Sequence, residues 1–201
     1  KIDKQMIYSE WIKMHNKFGQ RSGYKHNFDS IVVDYVDNLK QSGIDTIGIY
    51  KKNYVGALVD DSCECGIIPW VAYIHWIKNG VTYHQKITQC CKFNIKTISN
   101  SALIRYYSNC MSSIDRGVII PVITGAYRDK NGDIEFVEMV IDHTTWYSIY
   151  CNLNGESKYI TFQEYDLVSN ENLFYPENLN SIINSWRKII ENQINEIESN
   201  K

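Results

Sequence analysis

Residues 67–88, IIPWVAYIHWIKNGVTYHQKIT, contain the clearest structural signal in the sequence. Two runs rich in β-branched and aromatic residues flank Asn79-Gly80, a pair that favours a type I′ turn because both central positions of that turn need a positive φ. We therefore predict an antiparallel hairpin around this turn. The same pair of residue types recurs at Asn131-Gly132 and at Asn154-Gly155, which predicts two further hairpins.

Apolar residues at helical spacing mark four segments outside these hairpins. The predicted helices lie near residues 3–18, 30–42, 101–115 and 176–197, and the predicted strands near residues 44–51, 67–77, 81–88, 118–127, 133–142, 145–152 and 157–165. An apolar sheet face needs a covering layer, which amphipathic helices supply. We predict a single α+β domain over residues 1–201, with a mostly antiparallel sheet of hairpins covered on one face by the N-terminal, central and C-terminal helices.

The composition is that of an ordinary globular protein, with 44% hydrophobic and 22% charged residues in a chain of 201. Lys and Arg number 21 against 23 Asp and Glu, so the basic field of a nucleic-acid-binding protein is not expected. Because no run of about 18 apolar residues occurs, no transmembrane segment is expected. The chain starts at Lys1 with neither Met nor an apolar leader, as it would after cleavage of a leader or after trimming.

Six cysteines include two close pairs, Cys63 with Cys65 and Cys90 with Cys91. In an oxidising compartment the first pair can form disulfides with the second, whereas adjacent cysteines rarely bridge each other. The same four residues are candidates to supply thiolates to zinc, although zinc sites usually space their cysteines as Cys-x2–4-Cys. Plain thiols are the third interpretation.

The first predicted hairpin places two histidines opposite each other. A two-residue turn at Asn79-Gly80 pairs His75 with His84 across the strands. Cross-strand Cβ atoms lie about 4.5–5.5 Å apart, so two imidazoles there can share one metal ion or one bound anion. The alternative is that both histidines stand on a half-exposed sheet face without a ligand.

Known catalytic signatures are missing from the sequence. No phosphate-binding glycine loop, nucleophile elbow or His-Glu-x-x-His helix occurs. Asp142-His143 could orient a cysteine nucleophile, but we expect this pair to form a turn. Glu135 and Glu138 are three apart on a predicted strand and point to opposite faces, which excludes them as the paired carboxylates of a glycosidase.

Aromatic residues make up 13% of the chain, more than a core of this size needs. The third predicted hairpin sets Tyr147 opposite Phe162 and Tyr150 opposite Tyr159. Tyrosine is favoured at interfaces, so this ladder is a candidate platform for a protein or carbohydrate contact. The alternative is that the ladder packs under the helices.

About residues 44–91 contain a set of short motifs, namely TIGIY at 46–50, Cys63-x-Cys65, YIHWIKNG at 73–80, and Cys90. In these motifs this part of the chain resembles small exported proteins of unknown function from Bacteroidota. The resemblance implies an exported protein, with a lipid anchor as one origin, and it implies no catalytic residue. Cys91, the second cysteine of its pair, departs from the pattern.

These observations predict an exported, non-enzymatic binding domain that contacts a protein partner through an aromatic sheet face. A second hypothesis is a metal- or thiol-dependent enzyme with its site near the first hairpin, where His75, His84 and the cysteine pairs lie. Zinc is the cofactor that this second hypothesis would require. A third is an immunity or inhibitor protein that neutralises a toxin through its mildly acidic surface.

Overall fold

The computed structural model describes residues 2–18, 29–59, 67–98, 102–114, 118–139 and 141–199. The helices are α1 Lys4–Phe18, α2 Ser30–Gln41, α3 Ala102–Ile114, α4 Glu164–Val168, α5 Tyr175–Leu179 and α6 Ile182–Ser199. The strands are β1 Thr46–Val59, β2 Ile67–Lys78, β3 Val81–Thr88, β4 Lys96–Ile98, β5 Ile123–Arg128, β6 Ile134–Glu138, β7 Trp146–Leu153 and β8 Glu156–Gln163. Within these ranges, no helix is both long enough and apolar enough to cross a membrane.

The main sheet has the order β4-β3-β2-β1-β7-β8, and all of its neighbours are antiparallel. A separate ribbon consists of β5 and β6. This architecture confirms the predicted α+β class and the mostly antiparallel sheet. β1 lies inside the sheet, where it pairs with β2 on one side and with β7 on the other.

The hairpin turns follow the prediction at two of three positions. Asn79 and Gly80 have φ values of 51° and 75°, and Asn154 and Gly155 have 52° and 89°, as a type I′ turn requires. At the second hairpin only Gly132 has a positive φ, 90°. The side chain of Asp129 accepts hydrogen bonds from the backbone amides two and four residues later, both at 2.8 Å, which holds a longer loop there.

Helices cover both faces of the main sheet, which corrects the prediction of one covered face. Successive strand residues point to opposite faces, so Ile49 and Tyr50 of β1 belong to different clusters. Ile49 packs with Val32 and Val36 of α2. Tyr50 lies in the cluster that α3 and α6 cover. The central helix α3 and the C-terminal helix α6 share one face, as predicted. In contrast to the prediction, α2 covers the opposite face and α1 packs on the ribbon.

A third cluster joins α1 to the ribbon. Ile7 and Trp11 of α1 pack with Ile120, Ile123 and Phe174. Residues 118–122 form an irregular segment before β5, and Val118 and Ile120 of this segment belong to the same cluster. This segment builds part of the surface described below.

The C-terminal helix begins later than predicted, at Ile182 rather than near residue 176. The hydroxyl of Ser181 accepts a hydrogen bond from the backbone N–H of Asn184 at 3.1 Å, so Ser181 starts a new helix. The preceding Pro176 lies in the separate short helix α5. The short elements β4 and α4 were also not predicted, since neither carries a periodic apolar pattern.

Candidate functional site

His75 and His84 lie opposite each other in the β2–β3 hairpin, in the predicted register. Both are buried, with 0% and 1% of their surface exposed. Nε2 of His75 is 2.8 Å from Nδ1 of His84, a hydrogen-bond distance. The prediction of a half-exposed pair is therefore wrong, because α3 and α6 cover this face of the sheet.

Two further side chains extend the pair into a chain of hydrogen bonds. The hydroxyl oxygen of Tyr107 on α3 is 3.2 Å from Nδ1 of His75. Oε1 of Glu198 on α6 is 3.0 Å from Nε2 of His84. All contacts are satisfied if Tyr107 donates to His75, His75 Nε2–H donates to His84, and His84 Nε2–H donates to Glu198. We call these four residues the histidine relay.

A glycine in β1 makes room for the relay. Gly48 pairs with His75 on one side and with Cys151 on the other. A Cβ atom at Gly48 would lie 2.4 Å from ring atoms of Tyr107, so only glycine lets this ring lie directly on the strand. The close approach brings the Tyr107 hydroxyl to His75.

Burial favours the uncharged form of both imidazoles. It holds the pKa of His75 well below 6.5, and the neighbouring His84 lowers this pKa further. Burial also lowers the pKa of His84, against the raising effect of Glu198 and with a smaller lowering effect from Lys96. The two histidines are therefore neutral at neutral pH, as the donor order of the relay requires.

These lowered pKa values predict how stability changes with pH. In the unfolded chain, His75 and His84 bind protons below about pH 6.5. In the folded chain their pKa values are lower, so they bind protons only at lower pH. The free energy of unfolding is therefore full above pH 6.5 and falls below it, by at most about 1.4 kcal/mol per pH unit for each histidine. We expect a shallower fall in His84→Gln than in wild type, measured by urea denaturation from pH 7.5 to 5.

The comparison with a variant is needed because Asp166 titrates in the same range with the opposite effect. Burial raises the pKa of Asp166 to about 6, so this group stabilises the fold as pH decreases. His143→Gln is the control because His143 is exposed. Equal slopes in wild type and His84→Gln would contradict the prediction.

The structure does not bring a metal-ligand set to the histidine pair. The two facing nitrogens share a hydrogen bond, and the remaining ring nitrogens contact Tyr107 and Glu198. Over the described ranges, no group of three or more His, Cys, Asp or Glu could hold a metal ion. Cys63 and Cys65 fall outside those ranges, so the four-thiolate zinc site stays a prediction.

The other candidate residues are dispersed. Cys90 and Cys91 lie at the bend after β3, and the backbone N–H of Cys91 donates to the hydroxyl of Thr88 at 3.0 Å. Cys151 is a buried free thiol in β7. His143 stands with its neighbour Asp142 in an exposed bend before β7, as predicted for a turn.

The aromatic ladder has the predicted register but not the predicted role. Tyr147 pairs with Phe162, and Tyr150 pairs with Tyr159. Tyr147 and Phe162 are each 3% exposed in the cluster under α3 and α6, and Tyr150 is fully buried in the cluster under α2. Three members of the ladder therefore belong to the core and Tyr159 is half-buried at its edge, which favours the alternative that the ladder packs under the helices.

The described surface contains a groove of about 680 Å³ that sequence reasoning missed. Its walls come from α1, from the irregular segment 118–122, and from α5 and the start of α6; they include Lys4, Tyr8, Ile120, Phe174, Glu177 and Ile182. We call it the α1 groove. The only sequence signal was an apolar residue off the buried stripe of each helix, Tyr8 in α1 and Ile182 in α6.

An ion pair marks the rim of the α1 groove. Lys4 Nζ lies 2.6 Å from Oε1 of Glu177, and both side chains are nearly half exposed. The same ammonium lies 5.2 Å from the centre of the Phe174 ring. This pairing connects α1 to α5 and leaves apolar side chains on the groove walls.

The two arrangements differ in what they can do. The histidine relay can hold or move a proton inside the protein, whereas the α1 groove can receive apolar groups from solvent.

No family model matches the chain, and neither a curated protein nor a solved structure matches it.

Proposed function

We propose that this protein is a non-enzymatic binding domain that holds a short apolar segment of a protein partner in the α1 groove. The observation that carries the proposal is the groove, whose walls are mostly apolar and whose rim carries the ion pair of Lys4 with Glu177. Its volume lies within the roughly 300–1,000 Å³ range of ligand sites. Apolar walls with a polar rim are also the usual anatomy of a protein interface.

Exposed apolar side chains support this function. Ile182, at the first position of α6, is 48% exposed beside the groove. Tyr8 of α1 is also exposed at the groove. Covering such surfaces with an apolar partner segment would remove them from water, at roughly 25 cal/mol per Å².

The burial of the histidine relay favours binding over catalysis. A catalytic group must touch its substrate, and both imidazoles are beneath α3 and α6 with every ring nitrogen in a hydrogen bond. An enzyme that uses His75 and His84 would need α6 to leave this face before a substrate could enter.

The groove proposal is tested with matched variants. Ile182→Asp places a charge on the groove wall, and Val137→Asp does the same on β6, where Val137 is 45% exposed and outside the groove. Peptides would be selected from a random nonapeptide phage library on wild-type protein. We expect them to be apolar and to bind Ile182→Asp at least about tenfold more weakly than wild type, by fluorescence anisotropy.

The control separates groove binding from general stickiness. Val137→Asp should bind the selected peptides as wild type does. Peptides that bind Ile182→Asp and wild type equally well would place the contact elsewhere and end the proposal.

We also propose that the protein is exported and that Cys63 and Cys65 form disulfides with Cys90 and Cys91. Support comes from the arrangement of four of the six cysteines in two close pairs, Cys63 with Cys65 and Cys90 with Cys91. Disulfides persist in oxidising compartments, which fits export. Intact mass after alkylation in denaturant is expected to show four additional modified cysteines only when the protein is first reduced. Alkylation of all six cysteines without reduction would contradict the pairing.

A further inference from the structure

The last turn of α6 is tied to the sheet by polar contacts from two strands. From β3, His84 contacts Glu198 at 3.0 Å. From β4, Lys96 Nζ donates to the backbone carbonyl of Ile197 at 2.9 Å and lies 3.5 Å from Glu198. A cation at the carboxyl end of a helix also interacts favourably with the helix dipole.

The middle of α6 has a separate anchor that does not involve histidine. Glu191 accepts a hydrogen bond from the hydroxyl of Tyr50 at 2.7 Å. It also pairs with Lys52 at 2.6 Å and with Arg187 at 2.7 Å. Burial raises the pKa of Glu191, but its hydrogen bonds with Lys52 and Tyr50 outweigh this, so the pKa lies below its usual range and the anchor persists in mild acid.

We propose that the histidine relay is a pH-sensitive latch, which holds the last turn of α6 on β3 and β4 while at most one imidazole is charged and releases it when both imidazoles are charged. The release is local, because the Glu191 anchor and the apolar stripe of α6 remain in place. The latch is independent of what the α1 groove binds.

Proton counting in the relay explains the release. The nitrogens that face each other, 2.8 Å apart, have room for one proton between them. A first added proton can be accepted on His84 beside Glu198 if His75 reverses its donor direction toward Tyr107. A second would place two N–H groups face to face and two positive charges in a buried site, which water must then enter to solvate.

The groups around the pair make this site unfavourable for two cations. Lys96 on β4 adds a third positive charge near His84, and Glu198 on α6 is the facing carboxylate. β2 contributes the ring of Tyr73, stacked 5.9 Å from that of His84, and α3 contributes Tyr107. β1 contributes Gly48, which has no side chain. The last turn of α6 is the edge of the cover, so it is where water enters first.

The test measures amide hydrogen exchange of the full chain between pH 7.5 and 5, corrected for the intrinsic dependence of exchange on pH. We expect protection in residues 195–199 to fall at least tenfold as pH decreases, while residues 186–194 keep theirs. The same fall should occur in His143→Gln and be absent in His84→Gln. An equal fall in His84→Gln would overturn the latch.

Nitrogen-15 NMR of the imidazoles gives an answer from the wild-type protein even if His84→Gln does not fold. At pH 7.5 both rings should be neutral and protonated at Nε2. Both should gain protons over the range in which residues 195–199 lose protection. Charged rings with a fully protected last turn, or a last turn that opens while both rings remain neutral, would refute the proposal.

Discussion

Gly48→Ala is expected to lower the free energy of unfolding by about 3 kcal/mol, which is the upper end for overpacking a core. The new Cβ would lie 2.4 Å from two atoms of the Tyr107 ring, a distance that real Cβ atoms do not adopt. Either β1 or α3 must move. A displaced Tyr107 also loses its hydrogen bond with His75, in a buried position where water does not replace it. Urea denaturation with an unchanged slope would measure the loss.

Gly125→Ala is the matched control. Gly125 also lies in a strand, and its added Cβ would meet only Val137 Cγ2 at 4.0 Å, an ordinary contact. This substitution should change stability by well under about 1 kcal/mol. The cost of Gly48→Ala should shrink when Tyr107 is also replaced by alanine, because the clash then disappears. Equal costs at positions 48 and 125 would show that the Tyr107 contact does not constrain Gly48.

Asn178→Ala is expected to cost about 3 kcal/mol, because one buried side chain serves three backbone groups. Asn178 is fully buried and its Nδ2 donates to the carbonyls of Ile120 and Asp166, at 2.7 and 2.8 Å. Its Oδ1 accepts from the N–H of Ile120 at 2.9 Å. Asn172 also donates to the carbonyl of Ile120, so that carbonyl keeps a partner in the variant. The loss of stability therefore comes mainly from the N–H of Ile120, which is left without one.

Asn180→Ala is the matched control, an asparagine-to-alanine change in the same region whose side chain is exposed. Asn180 follows α5 and donates to the carbonyl of Pro176 at 2.8 Å, but it is exposed, so water can replace that contact. It should cost less than about 1 kcal/mol by thermal or urea unfolding. If Asn178→Ala were equally mild, the irregular segment 118–122 would not depend on this side chain. Contacts other than those of Asn178 would then hold this wall of the α1 groove in place.

The local signals of the sequence predicted the local geometry of the site. Asn79-Gly80 needs only its own backbone conformation to set the turn, and a two-residue turn fixes the register that places His75 opposite His84. Tyr107 and Glu198 reach the histidines through packing between elements distant in the chain. The residue pattern within one segment does not show which side chains of distant segments will be in contact. The relay could therefore not be predicted beyond the pair of His75 and His84.

The sequence of β1 contains evidence that helices cover both faces of the sheet. The prediction relied on the helical patterns and did not use this evidence. β1 carries Ile47, Ile49 and Tyr50, all fully buried, so apolar residues face both sides of the strand. Such a strand is typical of a sheet buried on both faces. The burial of Tyr147 follows from the same fact, since a sheet enclosed between helices leaves little room for an exposed aromatic face.

The place of β1 in the sheet has a consequence for biosynthesis. Thr46 pairs with Leu153, so half of the hydrogen bonds of this strand await a segment that leaves the ribosome about a hundred residues later. Closing so long a loop costs conformational entropy before the hydrogen bonds between β1 and β7 can form, and this slows folding. Until then the nascent sheet ends at an open β1 edge, a template for pairing with other chains. Truncations before β7 should therefore aggregate rather than fold.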